Sequence, residues 1–204
     1  AIAYEHLKSL HKDDAGSPSS LITSNTIDQW QQKAQSGSNI AATNLMVVAH
    51  PDDETIFGFS ELYSANKLDA LKWKVVCAAP REVRTGKNSS SARAMKFYGV
   101  TDYETWDFAT DWEGNKQFES SSPADYLGKL DAKIQSLLNE KEWAKVVTHN
   151  PLGEYGHIAH RHIFDAVKKH CDEFYVFCKT PAPLPDKQMR QKYQALEHYS
   201  SETI

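Results

Sequence analysis

Residues 44–54 read NLMVVAHPDDE, and the first six of them decide the fold. The apolar run from Leu45 to Ala49 shows no alternation and stops at the His50-Pro51 step. That pattern suits a strand buried on both faces, which is the habit of parallel sheets covered by helices on either side. Downstream, ETIFGFSELYSANK (54–67) carries Ile56, Phe59, Leu62 and Tyr63 at helical spacing, and KWKVVCAAP (72–80) is a second Val-rich run closed by Pro80. SSSARAMKFYGV (89–100) reads as a helix ended by Gly99, and YETWDF (103–108) as a short strand.

The alternation continues through ADYLGKLDAKIQSLLNE (124–140), a helix with Tyr126, Leu127, Leu130, Ile134, Leu137 and Leu138 on one side. It feeds WAKVVTHN (143–150), a third Val-centred strand that again ends on a histidine, then the helical HIAHRHIFDAVKKH (157–170) and the aromatic strand EFYVFCK (173–179). Repeated strand–helix alternation predicts a single three-layer α/β/α domain over 44–204 with a Rossmann-like, mainly parallel sheet. Residues 1–43 are rich in Ser, Asn, Gln and Asp, with one short helical candidate, IDQWQQKAQ (27–35). They read as a leader packed on that core.

The 204 residues suit one domain, and a formal net charge of −4 supplies no basic field for nucleic acid or anionic lipid. The longest apolar run falls far short of the roughly 20 residues of a bilayer-spanning helix, so a soluble chain is expected and a cytoplasmic location is favoured. The sequence begins at Ala1, which leaves an upstream targeting segment open. Cys77, Cys171 and Cys178 are odd in number, match no zinc-finger spacing and read as ordinary thiols.

Ligands of open α/β sheets bind outside the carboxyl ends of the strands, where two of the strongest candidates run into His50 and His149. His50-Pro51-Asp52-Asp53-Glu54 places one imidazole and three carboxylates together. A plain helix N-terminus accounts for such acids equally well, because the helix dipole favours them there. In GHIAHRH (156–162), His157 and His160 are three apart and share a helix face, although a histidine-rich surface helix looks the same.

A hydrolytic zinc site takes three N or O ligands and keeps one position open, a count that His50, Asp53 and His160 fill. Zinc is the expected cofactor, with another divalent transition metal as the variant. Asp52 is then the candidate general base, and His157 the group that stabilises an oxyanion or protonates the leaving amine. His149 and His162 are read as structural, and Glu54 as a cap or a support for a ligand.

AHPDDE (49–54) resembles the signature after the first strand of the PIG-L or LmbE-like zinc-dependent de-N-acetylases. GHIAH (156–160) resembles that family's Gly-His-x-x-His motif, and KYQALEHYSSE (192–202) its Lys…Ala-Leu…Ser-Gln region. The resemblance implies removal of an N-acetyl group from an N-acetylglucosamine-like substrate, small molecule or glycan, with the same five residues in the same roles. It also implies sugar contacts in REVRTGK (81–87) and WDFATDW (106–112), for which Arg84 is the first candidate, Arg81 the second, and Asp111 a partner for a hydroxyl. Tyr155 is the candidate for stacking on the sugar ring.

Four positions depart from the family pattern: Ala159 and Asn150 stand where acids are frequent, and Lys87 and Ser90 replace an Arg…Glu pair. These departures motivate an alternative, an inactive family member that binds a carbohydrate or a partner protein. A nucleotide-binding Rossmann domain is disfavoured, because no Gly-x-Gly-x-x-Gly follows the first strand.

Overall fold

The chain divides between residues 40 and 41, and the computed structural model describes residues 42–63, 67–78, 89–106, 108, 123–178 and 182–199 of the second unit. The leader expected over 1–43 therefore lies, apart from Ala42 and Thr43, outside the described residues.

Among the described residues, five parallel strands form one sheet in the order β3-β2-β1-β4-β5. They are β1 (Asn44–Val48), β2 (Trp73–Cys77), β3 (Asp102–Thr105), β4 (Lys145–Thr148) and β5 (Tyr175–Val176). β1 lies in the middle, pairing Asn44 with Trp73 on one side and with Lys145 on the other. Its unbroken apolar run follows from this position, because the pleat sends Leu45, Val47 and Ala49 into one core cluster and Met46 and Val48 into the other. Helices on both faces complete an α/β fold.

The first face is covered by α5 (Pro123–Leu138) and α6 (Ile158–His170), whose Leu130, Ile134, Ile163 and Val167 meet the sheet. Leu127, expected on the inner side of α5, is instead exposed. The second face is covered by α4 (Ser90–Tyr98) and by α7 (Asp186–Leu196), which continues into a 3-10 turn, Glu197–Tyr199. Ser89 caps α4 by accepting from the Ala92 N–H, and Gly99 ends it at φ 90°, as its sequence predicts.

The segment after His50 is not the continuous helix that its apolar spacing suggests. It comprises the single turns α1 (Asp53–Ile56) and α2 (Phe59–Leu62), followed by α3 (Lys67–Ala70). At the break, a Cβ on Gly58 would stand 2.8 Å from both the Glu54 carbonyl oxygen and Met46 Cε, so the backbone approaches β1 more closely than a side chain allows. Ile56 is correspondingly exposed. β5 retains only two residues of the aromatic run, both partly exposed at the sheet edge.

Strand order reverses between β1 and β4: β2 and β3 lie to one side, and β4 and β5 to the other. The crevice at this switch point, outside the carboxyl ends of β1 and β4, is where the fold leaves backbone and side chains available for a ligand. His50 and His149 enter it from the two strand ends.

Candidate metal centre

Three polar side chains from two separate segments meet in that crevice. His50 Nδ1 lies 3.2 Å from His160 Nε2 and 3.3 Å from Asp53 Oδ2, and His160 Nε2 lies 3.2 Å from the same oxygen. His50 and Asp53 are brought together locally, since Asp53 Oδ2 also accepts the His50 N–H at 2.8 Å. His160 arrives from the first turn of α6, where it is fully buried.

These separations test whether the residues fit a metal ion. Two N or O ligands about 2.0–2.1 Å from a tetrahedral zinc stand about 3.3–3.4 Å apart, so the observed triangle matches one face of such a site. The electrostatics agree. Burial works against charge on His160, yet Asp53 and Glu154 push its imidazole up to about 9, and surroundings that favour a proton there favour a cation. Burial also opposes charge on Asp53, and the imidazoles of His149, His160 and His50 outweigh it, holding the carboxyl well below the usual carboxylate range.

Glu154 organises the site although its sequence context does not single it out. Its Oε2 accepts from His149 Nδ1 at 2.9 Å and from His160 Nδ1 at 2.5 Å, while Oε1 accepts the Asn150 N–H at 2.9 Å. Burial would raise this carboxyl, but its bonds to His149 and His160 hold it at about 2. With Nδ1 donating to Glu154, His160 turns the lone pair of Nε2 toward His50 and Asp53. His149 is fixed at both nitrogens, because its Nε2 accepts the Ala49 N–H at 2.9 Å. The same Nε2 stands 3.5 Å from Asp53 Oδ2.

The backbone that delivers Glu154 is unusual. Its φ of 57° and ψ of −69° fall in the sparsely populated region of the positive-φ γ-turn, between Gly153 at φ 64° and Gly156 at φ 97°. Asn150 stabilises this turn: its Oδ1 accepts from the N–H groups of Leu152 and Glu154, and its Nδ2 donates to the Phe177 carbonyl. An aspartate lacks that last donor, which gives Asn150 a physical reason in this chain.

His157 is the N-cap of α6, its Nδ1 accepting the Ala159 N–H at 3.2 Å. A backbone group thus orients this ring and leaves the proton of the neutral ring to Nε2. His157 also packs against the cluster, 4.6 Å from the His50 ring and 4.7 Å from that of His160. Asp52 precedes α1 with a left-handed φ of 100°, and Glu54 is fully buried, its carboxyl pushed up to about 7 by that burial. Tyr155 stands at the rim, 70% exposed, its ring 5.5 Å from His160. Arg84, Arg81 and Asp111 lie outside the described residues, and Trp106 is buried in the core.

No protein-family model matches the chain. An uncharacterized protein of Acanthamoeba polyphaga mimivirus is 29% identical, over 78% of this chain and 79% of the viral one. Among solved structures, a conserved protein from Thermus thermophilus superposes with a TM-score of 0.54 at 14% identity, covering 79% of this chain and 80% of its own. The N,N'-diacetylchitobiose deacetylase of Pyrococcus horikoshii gives 0.52 at 13% identity, with coverage of 92% and 82%. The chain shares the α/β fold of these two solved structures.

Proposed function

We propose that this chain is a zinc-dependent de-N-acetylase of the PIG-L/LmbE type, acting on an acetylated amino sugar such as an N-acetylglucosamine conjugate. The carrying observation is the triangle of His50 Nδ1, Asp53 Oδ2 and His160 Nε2, with edges of 3.2–3.3 Å, at the switch point of the sheet. The AHPDDE and GHIAH motifs supply its residues, and the fold shared with a diacetylchitobiose deacetylase accords with this substrate class.

In this reading His50, Asp53 and His160 hold zinc, which supplies Lewis acidity toward the acetyl carbonyl and lowers the pKa of water. Asp52, next to a ligand, takes the proton of the attacking water and passes it to the departing amine. His157, with its Nδ1 engaged by the helix, directs Nε2–H at the oxyanion that develops on the carbonyl. Glu154 keeps His160 in the ligating tautomer. Tyr155 borders the sugar, and Arg84 and Asp111 are the proposed contacts to its hydroxyls.

Acetate release from N-acetylglucosamine, its conjugates and diacetylchitobiose tests the proposal, with zinc added, with zinc chelated, and with Asp52→Ala. Release should depend on zinc and fall about 10²–10⁴-fold in the variant. Zinc-loaded wild type that releases no acetate across this panel would overturn the reading.

A further inference from the structure

The turn that carries Asp52 and Asp53 cannot hold its own shape. α1 is four residues long, has no side-chain cap, and is entered through Asp52 at φ 100°, a conformation that L residues rarely adopt. A single helical turn is unfavourable by itself because nucleation fixes several dihedrals for one hydrogen bond, and left-handed backbone adds strain. The surroundings must impose this conformation.

Much of what imposes it comes from the far end of the chain. The Tyr199 hydroxyl donates to Glu54 Oε1 at 2.5 Å across 145 residues, and Thr55 Oγ1 donates to the same oxygen at 2.8 Å. Glu54 Oε2 in turn accepts the Asp52 N–H at 3.1 Å, so the bond from Tyr199 is passed to the strained residue on the other side of Asp53. Tyr98 donates to Thr55 at 2.8 Å and closes this buried network. At the other end of α1, Lys192 of α7 donates to the Ile56 carbonyl at 2.6 Å. The arm itself is anchored by Ala195 and Tyr199 in the core and by Arg93, which donates to the His198 carbonyl at 2.7 Å.

We propose that the C-terminal arm, Asp186–Tyr199, is a positioning device for the metal centre: Tyr199 and Lys192 grip α1 at its two ends and hold Asp53 and Asp52 in working orientation. This rests on the assignment of Asp53 as a metal ligand. Tyr199 and Lys192 are positioning residues, since both act through α1.

The test is zinc affinity by competition with a chromophoric chelator, measured on the full chain. Tyr199→Phe removes only the hydroxyl and should weaken zinc binding about 10–100-fold, the usual effect of losing a group that orients a ligand. Lys192→Met, at an exposed bond that leaves the core intact, should weaken it by a smaller factor. Leu137→Ala, a core truncation on α5, which carries no residue of the site, is the control for stability: it should lower the melting temperature with zinc affinity unchanged. Wild-type affinity in both arm variants overturns the proposal, as does a loss in Tyr199→Phe no greater than in Leu137→Ala. Wild type that binds no zinc removes the underlying ligand assignment instead, so the two failures are distinguishable.

Discussion

Glu154 shows how much a single carboxylate decides in this site. Held in a strained turn, it accepts from two buried imidazoles and one backbone N–H, and so sets the tautomers of His149 and His160 together. Glu154→Gln keeps the size but replaces one acceptor oxygen with an NH₂ that faces N–H donors. We expect it to weaken zinc binding about 10–100-fold, measured by isothermal titration; unchanged affinity would remove Glu154 from the support of the centre. Asn150→Asp should be harmful in this chain, because the donor to the Phe177 carbonyl is lost and a second negative charge is set beside Glu154. Such a loss of a buried hydrogen bond costs about 1–3 kcal/mol, readable in denaturant melts. The candidate ligands around His50 and His160 could be picked out in the sequence because residue type and spacing are local properties. Glu154 was not, since nothing in Gly-Glu-Tyr-Gly distinguishes a buried acid from a solvated one.

Among the elements, β1, β2 and β4 were legible from their apolar runs, α4 from the glycine that ends it, α5 from its apolar period and α6 from its place in the strand–helix alternation. The reading broke down after His50, where helical spacing is present but the chain forms separate single turns, with the Glu54 carbonyl and the Met46 side chain crowding the break at Gly58. Gly58→Ala tests that crowding. The new methyl would meet the Glu54 carbonyl and Met46, and the variant should lose about 1–3 kcal/mol as an overpacked site. At this chain length that corresponds to a melting temperature lower by about 2–4 °C for each kcal/mol. A variant as stable as the wild type would show that this contact relaxes freely. The exposure of Leu127 on α5 and the two-residue extent of β5 are further cases in which packing overrode an apolar pattern.

For the whole molecule, a metal at the switch point would tie the end of β1 to the first turn of α6, so binding and folding must be linked. Zinc at a hundredfold excess over its Kd should add about 2.7 kcal/mol of stability, a rise in melting temperature of roughly 5–10 °C. A chelator should reverse this rise, and Asp53→Asn should abolish it. A melting temperature indifferent to zinc in the wild type would argue against the centre as a whole. By itself, the sequence determined the strand–helix alternation, the buried parallel sheet and the residue types suited to a metal, because periodicity and ligand spacing are local properties that a linear reading captures. Only the tertiary structure decided that His50, Asp53 and His160 close to within 3.3 Å, that Glu154 locks two imidazoles, and that Tyr199 reaches back to the turn bearing Asp53. His160 and Tyr199 make their contacts across 110 and 145 residues, and Glu154, only five and six residues from its imidazoles, reaches them through a strained turn. These contacts depend on strand order and on close packing in the crevice, and a contact of that kind leaves no period in the sequence.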